Sequence, residues 1–134
     1  MGPTKASKHI LIVDDESAIR DLLLIVINLL GDCHVSQACH GEEALLIVKK
    51  GPVDLIITDL AMPKMNGFEF LRRLKNLGHS IPTLVLTGNG DHRVTGMITN
   101  FGVSEFLDKP WNNDELLKII KRILLQKNKQ VAAS

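Results

Sequence analysis

Cysteine and aromatic residues are scarce in this sequence, and tyrosine is absent. Among 134 residues there are two cysteines, one tryptophan and four phenylalanines. Cys33 and Cys39 do not form a CxxC pair, and the five histidines are scattered without an HExxH motif. These patterns argue against a disulfide scaffold and against a zinc site. We therefore interpret both cysteines as reduced, small apolar side chains of a cytoplasmic protein.

The sequence also lacks a strong net charge and a long hydrophobic run. The formal net charge is +1, which provides no overall field for binding nucleic acid or acidic lipid. The longest apolar stretch, Leu22 to Leu30, is interrupted by Asn28 and is much shorter than a bilayer-spanning helix. The first nine residues carry no apolar segment of the kind found in secretory signals. We predict a cytoplasmic location, no membrane association and no nucleic acid bound by this segment.

Strand-like and helix-like segments alternate five times along the chain. Three segments, near 9–14, 54–59 and 82–87, are rich in Ile, Leu and Val without alternation, as in strands covered on both faces. The segment 34–38 alternates and is expected at an edge of the sheet, and a fifth strand is predicted near 104–108. The pattern predicts one α/β domain, a doubly wound (βα)5 unit with a parallel sheet and helices on both of its faces.

The helices between these strands differ in the strength of their signals. They are predicted near 17–30, 42–50, 67–77, 91–100 and 113–127. The third and the fifth begin with capping boxes, Asn66-x-x-Glu69 and Asn112-x-x-Glu115. The fourth has a low helix propensity, because its polar segment contains Gly96 and two β-branched threonines.

Polar side chains follow the predicted strands at the points where the strands end. Asp14 and Asp15 follow the first strand, Asp59 ends the third, Thr87 ends the fourth and Lys109 follows the fifth. Parallel strands end at one edge of their sheet, which is where open α/β sheets bind ligands. Each residue alone is explained equally well by a helix cap, a turn or a strand stop. Together they indicate a site, because three crowded acids repel one another unless a cation neutralises them.

The residue types at this edge suit a hard metal ion and a phosphoryl group. Magnesium prefers oxygen ligands, which Asp15 and Asp59 would offer directly, Asp14 through a water molecule and Ala61 through its backbone carbonyl. An aspartate carboxylate is also a nucleophile for phosphorus. The ammonium of Lys109 would neutralise charge on the phosphoryl oxygens, and the hydroxyl that ends the fourth strand would donate to one of them.

The same residues lie in segments that resemble a known family. The segments are Ile12-Val13-Asp14-Asp15-Glu16, the stretch DLAMPKMNG from Asp59 to Gly67, Leu86-Thr87-Gly88, and Phe106-Leu107-Asp108-Lys109-Pro110. In their order and spacing they resemble the receiver domain of two-component response regulators, which has a flavodoxin-like fold. The resemblance covers nearly the whole chain.

The resemblance implies a topology and an activity. The strand order would be 2-1-3-4-5, and the Lys109-Pro110 bond would be cis, which costs little before proline. Asp59 would accept a phosphoryl group from the phosphohistidine of a histidine kinase, with Mg²⁺ held by Asp14, Asp15 and the Ala61 carbonyl. The chain would catalyse only its own phosphorylation and dephosphorylation, so we expect no classical enzyme activity.

A switch would follow from the charge added at Asp59. By resemblance, Thr87 would move toward the phosphoryl group and vacate space into which Phe106 rotates. The output face would be formed by the helix near 91–100 together with the fifth strand and the fifth helix. Phe106 is also explained by ordinary core packing, and the two roles are compatible.

Three other functions are alternatives to this one. A phosphatase of the haloacid dehalogenase type would need a second acid two residues after its nucleophile, where Ala61 stands, and normally a cap domain. A flavin-binding fold would need a phosphate-cradling loop after the first strand, and none is present. A degenerate receiver that serves only for docking or dimerisation is compatible with the fold, although every acceptor-site residue is present.

The expected partners come from the resemblance alone. They are a histidine kinase or phosphotransfer protein, and a downstream protein or output domain, with homodimerisation possible on phosphorylation. The receiver domain is predicted over 9–127, with 1–8 an N-terminal tail or expression remnant and 128–134 a C-terminal tail. The sequence leaves open the cognate kinase, the output, the phosphoryl lifetime, and whether the chain is free-standing or excised from a longer regulator or hybrid kinase.

Overall fold

Five parallel strands form one sheet in the computed structural model, which describes residues 8–60, 67–88 and 103–133. The strands are β1 (Lys8–Val13), β2 (Cys33–Ala38), β3 (Leu55–Asp59), β4 (Thr83–Thr87) and β5 (Val103–Asp108). Their order across the sheet is β2-β1-β3-β4-β5. The predicted doubly wound α/β fold and strand order are therefore confirmed, and the alternating strand is an edge strand as expected.

The described residues contain four helices. They are α1 (Ser17–Asn28), α2 (Gly41–Lys50), α3 (Gly67–Asn76) and the C-terminal helix (Asn113–Ala133). The helix predicted near 91–100 and the cap predicted at Asn66 lie outside the described residues. At the start of the C-terminal helix, Oδ1 of Asn112 accepts a hydrogen bond from the amide of Glu115 at 3.1 Å, as the predicted cap requires. None of the helices described is long and apolar enough to cross a membrane.

Two helices end at least two residues away from their predicted ends. The C-terminal helix continues to Ala133 rather than ending at 127, because the added residues include Lys, Gln and Ala and no glycine or proline. Helix α1 ends at Asn28 rather than at 30, and the chain then turns through Gly31 and Asp32, which have φ angles of 67° and 48°. Glycine adopts this left-handed conformation readily, so Gly31 terminates the helix.

Alternate residues of the central strands pack into two cores, one on each face of the sheet. Ile10 and Ile12 of β1 pack with α1 and the C-terminal helix, whereas Leu11 and Val13 pack with α2 and α3. All four side chains are at most 1% exposed. Burying each one contributes about 1.5–3 kcal/mol to folding. The ends of β1 and β3 are thus held on a platform that is covered on both faces.

Candidate functional site at the carboxyl edge of the sheet

Two aspartates lie side by side where β1 and β3 end. The register pairs Val13 with Thr58, so Asp14, which follows β1, and Asp59, which ends β3, are neighbours at the same edge. Asp14 is 1% exposed and Asp59 is 7% exposed. Carboxylates are rarely buried this deeply without a partner, so the pair requires positive charge nearby.

Lys109, which directly follows the edge strand β5, supplies that charge. Its Nζ lies 3.3 Å from Oδ2 of Asp59 and 3.4 Å from Oδ2 of Asp14. The backbone places it there, because the amide of Lys109 donates to the carbonyl of Thr87 at 2.8 Å. The Lys109-Pro110 peptide bond is cis, as expected. The structure therefore brings together three of the residues that the sequence analysis singled out.

One lysine does not fully neutralise the two acids. Burial raises the pKa of the Asp14 carboxyl, and the charge of Asp59 raises it further, while the Glu16 amide and Lys109 oppose this rise without cancelling it. Burial lowers the pKa of the Lys109 ammonium, but Asp14 and Asp59 outweigh burial and raise that pKa overall. The two pKa shifts are consistent with each other. Lys109 lies beside two acids, whereas Asp14 lies beside one cation and one acid and is the more deeply buried of the two groups.

The acidic residues after β1 form a cluster of possible metal ligands. Carboxylate oxygens of Asp14, Asp15 and Glu16 lie within 4.8 Å of one another, with Asp15 and Glu16 exposed to solvent. Asp59 is not part of this cluster. Lys109 links the two, because its Nζ contacts carboxylate oxygens of both Asp59 and Asp14. Three carboxylates suit a hard cation such as Mg²⁺. Glu16 was not predicted as a ligand, although it is the third acid of the same run; Ala61, which was, lies outside the described residues.

The hydroxyl of Thr87 has a partner that the sequence did not indicate. Its Oγ1 donates to Oδ1 of Asp108 at 2.9 Å, across the β4–β5 pair in which these residues are in register. Thr87 is therefore at the predicted edge but is turned to its neighbour on β5. Phe106 is half-buried and packs against the core that contains α2 and α3.

Arg20 is a second residue near the site that the sequence did not predict, and it holds the backbone of Asp14. Arg20 of α1 donates from Nη1 to the carbonyl oxygen of Asp14 at 2.6 Å and from Nε to Oε1 of Gln37 at 3.2 Å. Arg20 thereby ties α1 to the loop after β1 and to β2. Only the order of the strands in space places Gln37 next to these residues, so the sequence offered no sign of this link.

Comparison with known proteins identifies the family. A family model for the response regulator receiver domain matches residues 10–121. Sporulation initiation phosphotransferase F of Bacillus subtilis is 35% identical over 118 residues, which cover 88% of this chain and 94% of that protein. The probable transcriptional regulator ycf27 of Cyanidium caldarium is 40% identical over 122 residues, 90% of this chain and 47% of that protein.

Solved structures agree with this assignment. The signal receiver domain of an HD domain-containing protein from Pseudomonas fluorescens superposes with a TM-score of 0.87 at 26% identity, covering 98% of this chain and 97% of that one. The chain belongs to the response regulator receiver domain family, the phospho-acceptor signalling domain of two-component systems. It spans about half the length of the transcriptional regulators that it matches.

Proposed function

We propose that this chain is a phospho-acceptor switch in which Asp59 takes a phosphoryl group from the phosphohistidine of a histidine kinase or phosphotransfer protein. The observation that carries the proposal is the position of Lys109, whose ammonium lies within 3.4 Å of carboxylate oxygens of both Asp59 and Asp14. A buried acid beside a fixed cation and a second acid matches the needs of a charged transfer reaction better than those of a stable core.

The proposed transfer uses Asp59 as a nucleophile. A carboxylate oxygen of Asp59 attacks phosphorus, the phosphorus–nitrogen bond of the phosphohistidine breaks, and the donor imidazole leaves with the bonding electrons. Lys109 is already in place beside Asp59, where the phosphoryl oxygens would carry negative charge. The product is an aspartyl phosphate, and attack by water returns the free carboxylate.

The acidic residues fit Mg²⁺ as the cofactor of this reaction. The proposed ligands are Asp14, Asp15, Asp59 and the backbone carbonyl of Ala61, with Glu16 added by its place in the acidic cluster. Burial is the largest cause of the raised pKa of Asp14, and a bound cation would favour the charged form of this carboxyl. When bound, Mg²⁺ supplies the remaining positive charge for the acids and for the incoming phosphoryl oxygens.

The proposed switch begins at Thr87 and Phe106. In the structure the Thr87 hydroxyl donates to Asp108, so it has to leave that acceptor before it can donate to a phosphoryl oxygen on Asp59. The resulting shift at the end of β4 would reach Phe106, which lies opposite Val85 on β5. The output face of the proposal combines β5, the C-terminal helix and the segment 91–100, which lies outside the described residues.

The proposed partners follow from this activity. One partner is the histidine kinase or phosphotransfer protein, and the other is a downstream protein or an output domain that recognises the phosphorylated face, with homodimerisation as one form of that recognition. The probable transcriptional regulators among the relatives are about twice as long as this chain, which supports an attached output domain in such proteins. We place the protein in the cytoplasm, where its two free cysteines would stay reduced.

Intact mass spectrometry tests the proposal. The full chain is incubated with Mg²⁺ and a small acyl phosphate, and a single phosphoryl adduct is expected that disappears in Asp59→Asn. Asp114→Asn, which removes an exposed carboxylate at the start of the C-terminal helix, is the matched control and should keep the adduct. An adduct that survives in Asp59→Asn, or none with any phosphodonor, contradicts the proposal. Turnover of many phosphomonoesters would instead indicate a phosphatase.

A further inference from the structure

A serine and a histidine are hydrogen-bonded at the opposite end of the sheet from Asp59. His9, near the start of β1, pairs with His34, and Ser36 on β2 lies two residues further along. Nε2 of His9 lies 2.7 Å from Oγ of Ser36, and Nδ1 of His9 lies 2.8 Å from the carbonyl oxygen of Pro52. Both ring nitrogens of His9 are therefore engaged, each with a different partner.

The partners of His9 determine where the ring proton lies. The Pro52 carbonyl can only accept, so Nδ1 carries the hydrogen of the neutral ring. Nε2 then presents a lone pair, and the Ser36 hydroxyl donates to it. This is the arrangement of an activated serine: a nucleophile bonded to a base that a third group holds in the correct tautomer.

The end of helix α2 and one carboxylate lie close to His9. Helix α2 ends at Lys50, just before Pro52, and the carboxyl end of a helix stabilises a positive charge. The amide of His9 also donates to Oδ2 of Asp54 at 2.8 Å, which brings a carboxylate close to the residue.

A cavity adjoins this pair and is large enough for a small molecule. Its volume is about 450 Å³, it is open to solvent, and its walls include His9, His34, Ser36, Ile47, Lys50 and Pro52. Ile47 and Pro52 give the walls an apolar part, while the ammonium of Lys50 offers positive charge to an oxygen that becomes negative during reaction. The cavity lies between the end of α2 and the outer strands, away from Asp59.

We propose that Ser36 and His9 form an acyl-transfer site for small esters with good leaving groups. Oγ of Ser36 attacks the ester carbonyl carbon while Nε2 of His9 takes the hydroxyl proton. The bond between the carbonyl carbon and the alcohol oxygen then breaks, and His9 gives its proton to the departing alcohol. Water, deprotonated by His9, releases the acid and restores Ser36. This activity is independent of the phospho-acceptor function.

A serine-directed probe tests the proposal on the full chain. A fluorophosphonate is expected to label Ser36, with a phosphorus–oxygen bond formed and fluoride released, and peptide mapping locates the adduct. Ser36→Ala should remove the label at this position. His9→Gln should slow labelling by about 100-fold, because general-base assistance of this kind contributes about 10²–10⁴.

Matched variants distinguish a loss of serine activation from a loss of the folded structure. His79→Gln alters a histidine that follows α3 and does not line the cavity, and it should keep the labelling rate. Asp59→Asn should also keep it, so failure of the phosphorylation proposal would leave this result unchanged. Hydrolysis of a 4-nitrophenyl ester should follow the same order of variants. A folded wild-type chain that is not labelled at Ser36, or a His9→Gln variant labelled at the wild-type rate, overturns the proposal.

Discussion

Replacement of Lys109 by methionine removes the ammonium that lies between two buried carboxylates. At 3.3–3.4 Å, each attraction is worth about 5 kcal/mol if the effective dielectric constant is about 20. Desolvation of the lysine offsets a large part of this sum, since Lys109 is only 20% exposed. We expect Lys109→Met to lose about 3 kcal/mol of unfolding free energy near neutral pH, the size typical of a broken buried ion pair.

Urea unfolding in the presence of a chelator measures this loss. The raised pKa of Lys109 means that its stabilisation is fully present below the ordinary value of 10.5 and is lost as the pH rises through the higher value of the folded protein. The deficit of Lys109→Met should therefore persist up to that pH and shrink above it. Lys118→Met, at an exposed position of the C-terminal helix, should change stability by less than about 0.5 kcal/mol.

A stable Lys109→Met variant would refute this reasoning. If the variant unfolds at the same or a higher urea concentration than the wild type in chelator, the ammonium does not hold the two acids together. The combination with Asp14→Asn provides a second check, because removing one acid should restore part of the lost stability. Strict additivity of the two changes would also contradict the geometry.

Four further outcomes follow from the same structure. Because burial raises the pKa of Asp14, charging it opposes folding; Asp14→Asn should be more stable than the wild type at neutral pH, with the difference vanishing below about 3.8 in thermal melts. Asp108→Ala frees the Thr87 hydroxyl from one hydrogen bond of about 1 kcal/mol and should speed phosphorylation by acyl phosphate about fivefold; an unchanged rate contradicts a holding role for Asp108. Asn112→Ala should cost about 1 kcal/mol of unfolding free energy in urea through loss of the helix cap. Mg²⁺ at 100 times its Kd should add about 2.7 kcal/mol of stability, and at that same concentration Asp15→Asn should gain less, as measured by the midpoint of urea unfolding.

The sheet and its carboxyl edge could be predicted because their signals are local. Apolar runs fix the strands, and the position of Asp14, Asp59 and Lys109 directly at or after such runs fixes the edge to which they belong. No long-range information was needed beyond the rule that parallel strands end together. The family motifs added the strand order and the cis bond before Pro110, both of which the structure shows.

The contacts that the sequence did not predict depend on strand register and on the direction of the side chains. Asp108 meets Thr87 only because β4 and β5 pair with these residues opposite each other. Arg20 reaches Gln37 only because β2 is an edge neighbour of β1. His9 and Ser36 are 27 residues apart, and nothing in either local segment marks them as partners. The C-terminal helix also extends beyond its predicted end at 127, through residues of good helix propensity.

The two proposed sites lie at opposite ends of strand β1, and the residues between them belong to neither site. His9 and Asp14 are separated by four residues that water does not reach, a distance of roughly 17 Å at the rise of an extended strand. The direct interaction between charges this far apart is weak, and the Lys109 ammonium offsets the charge of Asp14 locally. A change in ionisation at one end should therefore leave the other undisturbed, and the free-energy effects of His9→Gln and Asp14→Asn should sum in the double variant. Strand β1 thus keeps the two proposed sites, at His9 and at Asp14, energetically independent of each other.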